Sequence, residues 1–306
     1  MMTKKSSCGL LIFLLPCFMI AADYEIGGIQ LKCGPSDNCL IKSQEWSWLS
    51  GSEKMPVKAF EMNSGRMIYT IRHDLKHGNG TIGLSTPTNC NWYEGGMLNI
   101  LLNGKRFDLK PENNEKICVS DGEAGIVEMS WEDERAKISC AFVLRHGDSK
   151  LYLDVRLSPK VELKTVEVRL TNYPSGFNKT PRHVLVTAER VLAEAAVSEL
   201  IPDKERWVFY SDATLDCANN PSAQGPSALA LGMEGLIKAH LRTGGYGVST
   251  TLEYAPSTRR MVYCFWEFPR TTNADALTEL RSSVDDAIQR MAATTITPPS
   301  HAEETK

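Results

Sequence analysis

The sequence carries no surplus of charge. Its 34 lysines and arginines against 37 acidic residues leave a net charge of −3. No global field therefore draws in a nucleic-acid backbone or an anionic bilayer, and no nucleic-acid partner is expected. Long hydrophobic runs are equally scarce. The longest, Gly9–Ile20, covers 12 residues, short of the roughly 18 that a membrane-spanning helix requires. Paired cysteine motifs are missing: without C-x-x-C the common structural zinc patterns fall away, and no metal site is expected. There is no G-x-S-x-G elbow, no H-E-x-x-H and no G-x-x-x-x-G-K phosphate cradle, so no cofactor is implied. No repeat of fixed period is present, which disfavours propellers and solenoids.

What is present begins with an address. Lys4 and Lys5 precede the apolar run, and the small pair Ala21-Ala22 stands before the polar Asp23, the pattern of a secretory signal peptide over residues 1–22. The expected product is exported, secreted or periplasmic, starts near Asp23 and has no membrane span once that segment is removed. Losing two lysines and no acids takes the charge from −3 to −5. Seven cysteines remain after the two in the signal, an odd number, so at least one stays free or pairs between chains. Cys33 and Cys39 flank the turn-forming Gly34-Pro35-Ser36-Asp37-Asn38, whose ends can meet in a small disulfide loop in an oxidising compartment. Cys140 and Cys264 sit in apolar alternation and read as small core residues.

Strand patterns fill the rest. Met97–Leu102, Asn103-Gly104 and Lys105–Leu109 make an apolar run, a turn that tolerates positive φ, and a return run. Ile138, Cys140, Phe142 and Leu144 alternate at period two. After Gly147-Asp148-Ser149, Leu151, Leu153, Val155 and Leu157 do the same, with Tyr152, Asp154 and Arg156 expected on a solvated face. Val166–Leu170, Trp207–Tyr210, Val248–Tyr254 and Met261–Phe268 continue the pattern. Ala188–Leu200 is read as strand over helix. Ala274–Met291 has helical spacing, with Asn273 or Asp275 to cap its start. The expected fold is all-β: a large antiparallel β-sandwich with a short C-terminal helix. It occupies residues 23–293 as one domain, with two lobes dividing near 173–181 and a disordered tail over 294–306.

Chemistry-bearing residues are few. Gly78-Asn79-Gly80-Thr81-Ile82-Gly83 matches G-x-G-x-x-G, but no helix pattern comes after it to receive a pyrophosphate, so it reads as a glycine loop. His73, Asp74 and His77 read as a solvated loop. Glu45-Trp46-Ser47-Trp48 and Asn91-Trp92-Tyr93-Glu94 set aromatics beside carboxylates or amides in expected loops. Such groups either bind sugars, a ring face stacking while polar groups take hydroxyls, or plug the sandwich ends. Arg182-His183, Glu189-Arg190, Asp212 and Asp216 form either a site with His183 as acid or base, or surface ion pairs. Glu267 shares a strand face with Phe265 and Tyr263. It is either an edge residue or a buried acid of functional interest.

Gly244-Gly245-Tyr246-Gly247 through Pro256, with Phe265-Trp266-Glu267-Phe268-Pro269, resembles the C-terminal part of uncharacterised secreted bacterial β-sandwich proteins, to which no activity is attached. The long meander of the first half is similar to the supersandwich of galactose mutarotase-like domains. That resemblance implies carbohydrate association and, from the epimerases of the group, a histidine acid and a glutamate base, for which His183 and Glu267 stand in order. The expected function is an exported carbohydrate-associated protein, binding or accessory more than catalytic. Trp92, Tyr93, Glu94 and Asp212 are its ligand residues, and a saccharide its partner. Its rivals are a structural or adhesive envelope module and a sugar epimerase or lyase. The oligomeric state is open.

Overall fold

The computed structural model describes residues 23–26, 29–33, 40–50, 53–74, 80–86, 88, 96–110, 116–119, 123–172, 183–192, 197–201, 203–212, 225–243, 247–293 and 296–297. In chain order, β1 (Asp23–Ile26) and β2 (Ile29–Cys33) are followed by β3 (Ile41–Ser50), β4 (Glu53–Asn63), β5 (Ile68–Asp74) and β6 (Thr81–Ser85). Next come β7 (Leu98–Leu102), β8 (Lys105–Arg106), β9 (Lys116–Val119), β10 (Ala124–Glu132), β11 (Ala136–Arg145), β12 (Lys150–Pro159) and β13 (Val166–Asn172). The second half adds β14 (His183–Val186), β15 (Val191–Leu192), β16 (Val197–Glu199), β17 (Trp207–Asp212), β18 (Ser227–Leu231), β19 (Leu236–Thr243), β20 (Val248–Tyr254) and β21 (Arg260–Glu267). The long helix α1 (Asn273–Ala293) and the short β22 (Ile296–Thr297) complete it.

These strands form three antiparallel sheets. Twelve strands run in the order β15-β14-β17-β18-β21-β12-β11-β10-β9-β2-β1-β22, six in the order β16-β19-β20-β13-β7-β8, and β3 to β6 make a four-stranded meander. Period-two patterning sets the register. Phe142 lies opposite Leu153 and Leu144 opposite Leu151, and all four are buried between sheets, each burial contributing about 1.5–3 kcal/mol. Residues from all three sheets, from Leu40 to Phe265, join in this main core. Asn103 (φ 51°) and Gly104 (φ 73°) make the two-residue turn between β7 and β8, as their sequence requires.

The second face of the large sheet departs from expectation. Tyr152 and Asp154, expected in solvent, are buried, Tyr152 in a layer beneath α1 and Asp154 against Arg156 and Arg260. Ala276, Leu280, Val284, Ala287, Ile288 and Met291 recur at helical spacing and pack against Val143, Tyr152, Trp207, Cys264 and Trp266. A charge at Val284 would break this layer. The helix cap also differs. Thr272 Oγ1, not Asn273 or Asp275, accepts the Asp275 N–H at 3.1 Å, and the Thr272 carbonyl accepts the first helical bond, from Ala276. Asn273 instead accepts a hydrogen bond from Ser211, tying the helix start to β17.

Three smaller expectations are corrected. Glu45–Trp48 lies within β3, opposite Met55–Lys58, and not in a loop. His73 is a buried residue of β5, not part of a solvated loop. Its Nε2 lies 2.7 Å from the Leu109 carbonyl and its ring meets Trp131 edge-on. Residues 296–297, assigned to a tail, pair with β1. Of the Gly78–Gly83 stretch read as a glycine loop, the described part is mostly strand: Gly80 leads into β6, and Thr81, Ile82 and Gly83 lie within it. A Cβ at Gly80 would sit 1.8 Å from the Leu109 carbonyl, so glycine is needed there for close backbone approach.

Candidate functional site at one end of the sandwich

Strand register gathers the chemistry at one end. Tyr210 is opposite Ser227, Ser227 opposite Glu267, and His183 opposite Asp212. Asn172 and Thr243 both face Val248 across their ladders. The chain therefore leaves this end at Asn172, Asp212 and Thr243, and comes back into the sheets at His183, Gly225 and Gly247. The four-stranded sheet ends at Ser85, with Thr88 just beyond it, and the chain enters the six-stranded sheet at Leu98.

Glu267 is the chemical centre of this end. As the last residue of β21 it continues the inward row Met261, Tyr263, Phe265, so its carboxylate is turned between the sheets and is 1% exposed. Thr88 Oγ1 donates to Glu267 Oε2, linking the four-stranded sheet to the large one. Thr86 and Thr88 hydroxyls lie 3.2 Å apart. Tyr69 stands nearby on β5. Burial first, and then the negative charge of Glu267, hold its hydroxyl well above the ordinary phenol range. Neutral Tyr69 donates to the Ser149 carbonyl at 2.5 Å. Ser227, beside Glu267, is fully buried, and its Oγ has no hydrogen-bond partner among the described residues. Tyr210 and Thr250 hydroxyls lie 2.9 Å apart and bridge the large and six-stranded sheets.

A cavity of about 190 Å³ opens over Glu267, walled by Met67, Phe268 and Pro269 with Arg66, Thr271 and Glu279. Each ordered water claims about 30 Å³, so the cavity has room for several. Arg66 and Glu279 approach to 3.8 Å beside it, both well exposed, and such a pair stabilises little. The lining sets Glu267, the Thr271 hydroxyl, Arg66 and Glu279 beside apolar Met67, Phe268 and Pro269, a mixture that suits a polar ligand.

Two other buried carboxylates are bound differently. Glu205 accepts from Arg190 Nε at 2.9 Å, from Arg190 Nη2 at 3.0 Å, from the Ile201 N–H at 2.6 Å and from Thr187. Burial alone would raise its carboxyl; these hydrogen bonds and the charge of Arg190 outweigh that and hold it below the usual carboxylate range. Asp154 is held by Arg260 at 3.0 Å and Arg156 at 3.4 Å. Both are ties within the fold. The Glu189-Arg190 pair of the sequence thus resolves into one exposed acid and one arginine spent on Glu205.

Of the residues singled out in the sequence, Glu267 is the buried acid. His183 and Asp212 occupy facing positions of β14 and β17 at the same end. Trp92, Tyr93, Glu94 and Asp216 lie outside the described residues, as does Cys39. Cys33 ends β2. No group of three or more His, Cys, Asp or Glu side chains suited to a metal occurs among the described residues, and no described helix is long and apolar enough to cross a membrane. Thr88, Tyr69 and Ser227 carry no signal in the sequence. Each lies in an unremarkable strand or loop stretch, and only the pairing of distant strands brings them to Glu267.

No protein-family model matches the chain, and no curated protein matches its sequence. Solved structures similar to it include the GH36 α-galactosidase AgaB of Geobacillus stearothermophilus, at 9% identity and a TM-score of 0.38, over 73% of this chain and 41% of that one. A variant of AgaA from the same organism, in complex with 1-deoxygalactonojirimycin, aligns at 9% identity and a TM-score of 0.34, over 61% of this chain and 29% of that one. The chain thus spans less than half the length of these enzymes, and no residue role is carried across from them.

Proposed function

We propose that this is an exported carbohydrate-associated protein that binds a saccharide at the Glu267 end of the sandwich. The observation that carries this reading is the buried Glu267 carboxylate, hydrogen-bonded to Thr88 at a sandwich end rich in hydroxyls. In the sequence, Thr88 precedes Trp92, Tyr93 and Glu94 by four to six residues. Trp92 is four residues on, and an extended chain covers about 3.3–3.6 Å per residue, so its backbone is tethered within about 14 Å of Thr88. A stacking ring beside a carboxylate and hydroxyls is the usual composition of a sugar site. Export is part of the proposal, and the native protein is expected to begin near Asp23. An intact Met1, or a lipid on Cys17, would exclude that maturation.

Titration calorimetry with neutral oligosaccharides tests the binding. Trp92→Ala is expected to weaken it by roughly 1–3 kcal/mol, the scale of a lost aromatic contact, with the melting midpoint little changed. A wild type that binds no saccharide at millimolar concentration, together with a Trp92→Ala variant that melts much earlier, would make Trp92 a plug and the protein a structural module.

A further inference from the structure

The attachment of β1 and β2 to the rest of the large sheet is slender. β2 meets β9 through two register pairs, Lys32 with Val119 and Cys33 with Cys118. By contrast, β10 and β11 share nine, from Ala124 with Arg145 to Glu132 with Lys137. One of the two pairs holding the N-terminal hairpin, and β22 beyond it, is therefore a pair of cysteines. Residues directly opposite in an antiparallel ladder have Cα atoms about 4.5–5.5 Å apart and side chains on the same face, within the roughly 4.4–6.8 Å that a disulfide spans.

We infer that Cys33 and Cys118 form a disulfide that fastens β2 to β9. The bond closes a loop containing all of β3 to β8, so it constrains the unfolded chain far more than a turn-sized bridge from Cys33 to Cys39 would. The other described cysteines have no such partner. Cys140 faces Val155 and Cys264 faces Tyr152, and both are buried as free thiols. The bond forms by exchange with a disulfide oxidant such as oxidised glutathione. One cysteine thiolate attacks the oxidant, giving a mixed disulfide and one glutathione thiolate. The second cysteine thiolate attacks the protein sulfur of that mixed disulfide and releases the second glutathione. Two electrons pass to the glutathione disulfide, and the two protons lost by the cysteines go to the released thiolates.

The test is peptide mapping of the full-length chain. The purified protein is equilibrated with oxidised glutathione, its free thiols are blocked with iodoacetamide, and it is digested without reduction for mass spectrometry. The expected product joins the peptide bearing Cys33 to the peptide bearing Cys118, lighter than their sum by two hydrogens, and it disappears on reduction. In Cys118→Ser, Cys33 is expected to become alkylated. A wild-type link between Cys33 and Cys39, or alkylation of both Cys33 and Cys118 in the oxidised folded protein, would overturn the inference. The wild-type map decides the matter even where the variant does not fold.

Discussion

Glu205 and Glu267 are both almost wholly buried, yet the fold treats them in opposite ways. Glu205 lies where a turn folds back, and everything around it donates: a guanidinium with two nitrogens, a backbone N–H and a hydroxyl. Such a carboxylate is saturated and has nothing left to offer a ligand. Glu267 accepts from a threonine hydroxyl, stands near a neutral phenol, and borders a cavity. Burial alone does not mark a functional acid. What separates the two is whether the partners close the carboxylate off or leave it beside space that a ligand can enter.

The largest expected effect comes from putting a carboxylate where neither kind of partner exists. Leu153→Asp, in the fully buried centre of β12, is expected to cost several kcal/mol, roughly 4 or more, and to prevent folding in a marginal background. A negligible shift in the urea midpoint would mean that the β11–β12 register is wrong. Next, Arg190→Ala leaves Glu205 buried with its charge unneutralised. The melting midpoint is expected to fall clearly at neutral pH, though by less than for a pair buried on both sides, because Arg190 is 42% exposed and solvent screens it. The sign of the pH dependence comes from Glu205's lowered pKa. Its stabilisation is fully present above the ordinary Glu range and is lost as pH falls through the folded-state value. Wild type and Arg190→Ala should therefore converge in melting midpoint as pH falls below the ordinary Glu range and through Glu205's lowered folded-state value, and parallel curves would remove the pair from the account.

Gly225→Ala probes the Glu267 side. Gly225 has a φ of +106°, and a Cβ there would lie 2.0 Å from the Phe268 carbonyl oxygen. The backbone beside Glu267 must shift, at a cost of about 1–3 kcal/mol. Thermal melting and saccharide titration should both register it. The smallest effect on stability is expected for Glu267→Gln, which keeps an acceptor for Thr88 and removes a buried charge. A change under about 1 kcal/mol, with saccharide affinity reduced roughly tenfold or more, sharpens the contrast. A loss as large as that of Arg190→Ala, with binding unchanged, would place Glu267 in the same class as Glu205.

The architecture was legible because period-two alternation and turn chemistry are local signals. The β11–β12 pairing, the Asn103-Gly104 hairpin, the bounds of β20 and the amphipathic helix all arise from residues close in sequence. What failed had non-local causes. Tyr152 is dry because α1, far later in the chain, joins its layer, and Asp154 because Arg260 of β21 reaches across to it. The cap falls to Thr272 while Asn273, the next residue, is engaged by Ser211 of the distant β17. At the site, alternation put Glu267 on one strand face with Phe265 and Tyr263 but left open whether it was an edge residue or buried; the structure buries it. Its neighbours Thr88, Tyr69 and Ser227 were not legible, since the segment after β6, β5 and β18 come to it only through the pairing of distant strands. Nor could spacing reveal that Cys118 would face Cys33.

β21 has a role that no one of its contacts displays. Its odd-numbered residues Met261, Tyr263 and Phe265 belong to the core between the sheets, and its even-numbered Val262, Cys264 and Trp266 to the layer beneath α1. It is also hydrogen-bonded on both edges, to β12 and to β18. Its amides therefore become open to deuterium only when both layers have come apart, and they should be among the last in the molecule to exchange. A strand fixed on four sides is a rigid mount, and Glu267 is its final residue.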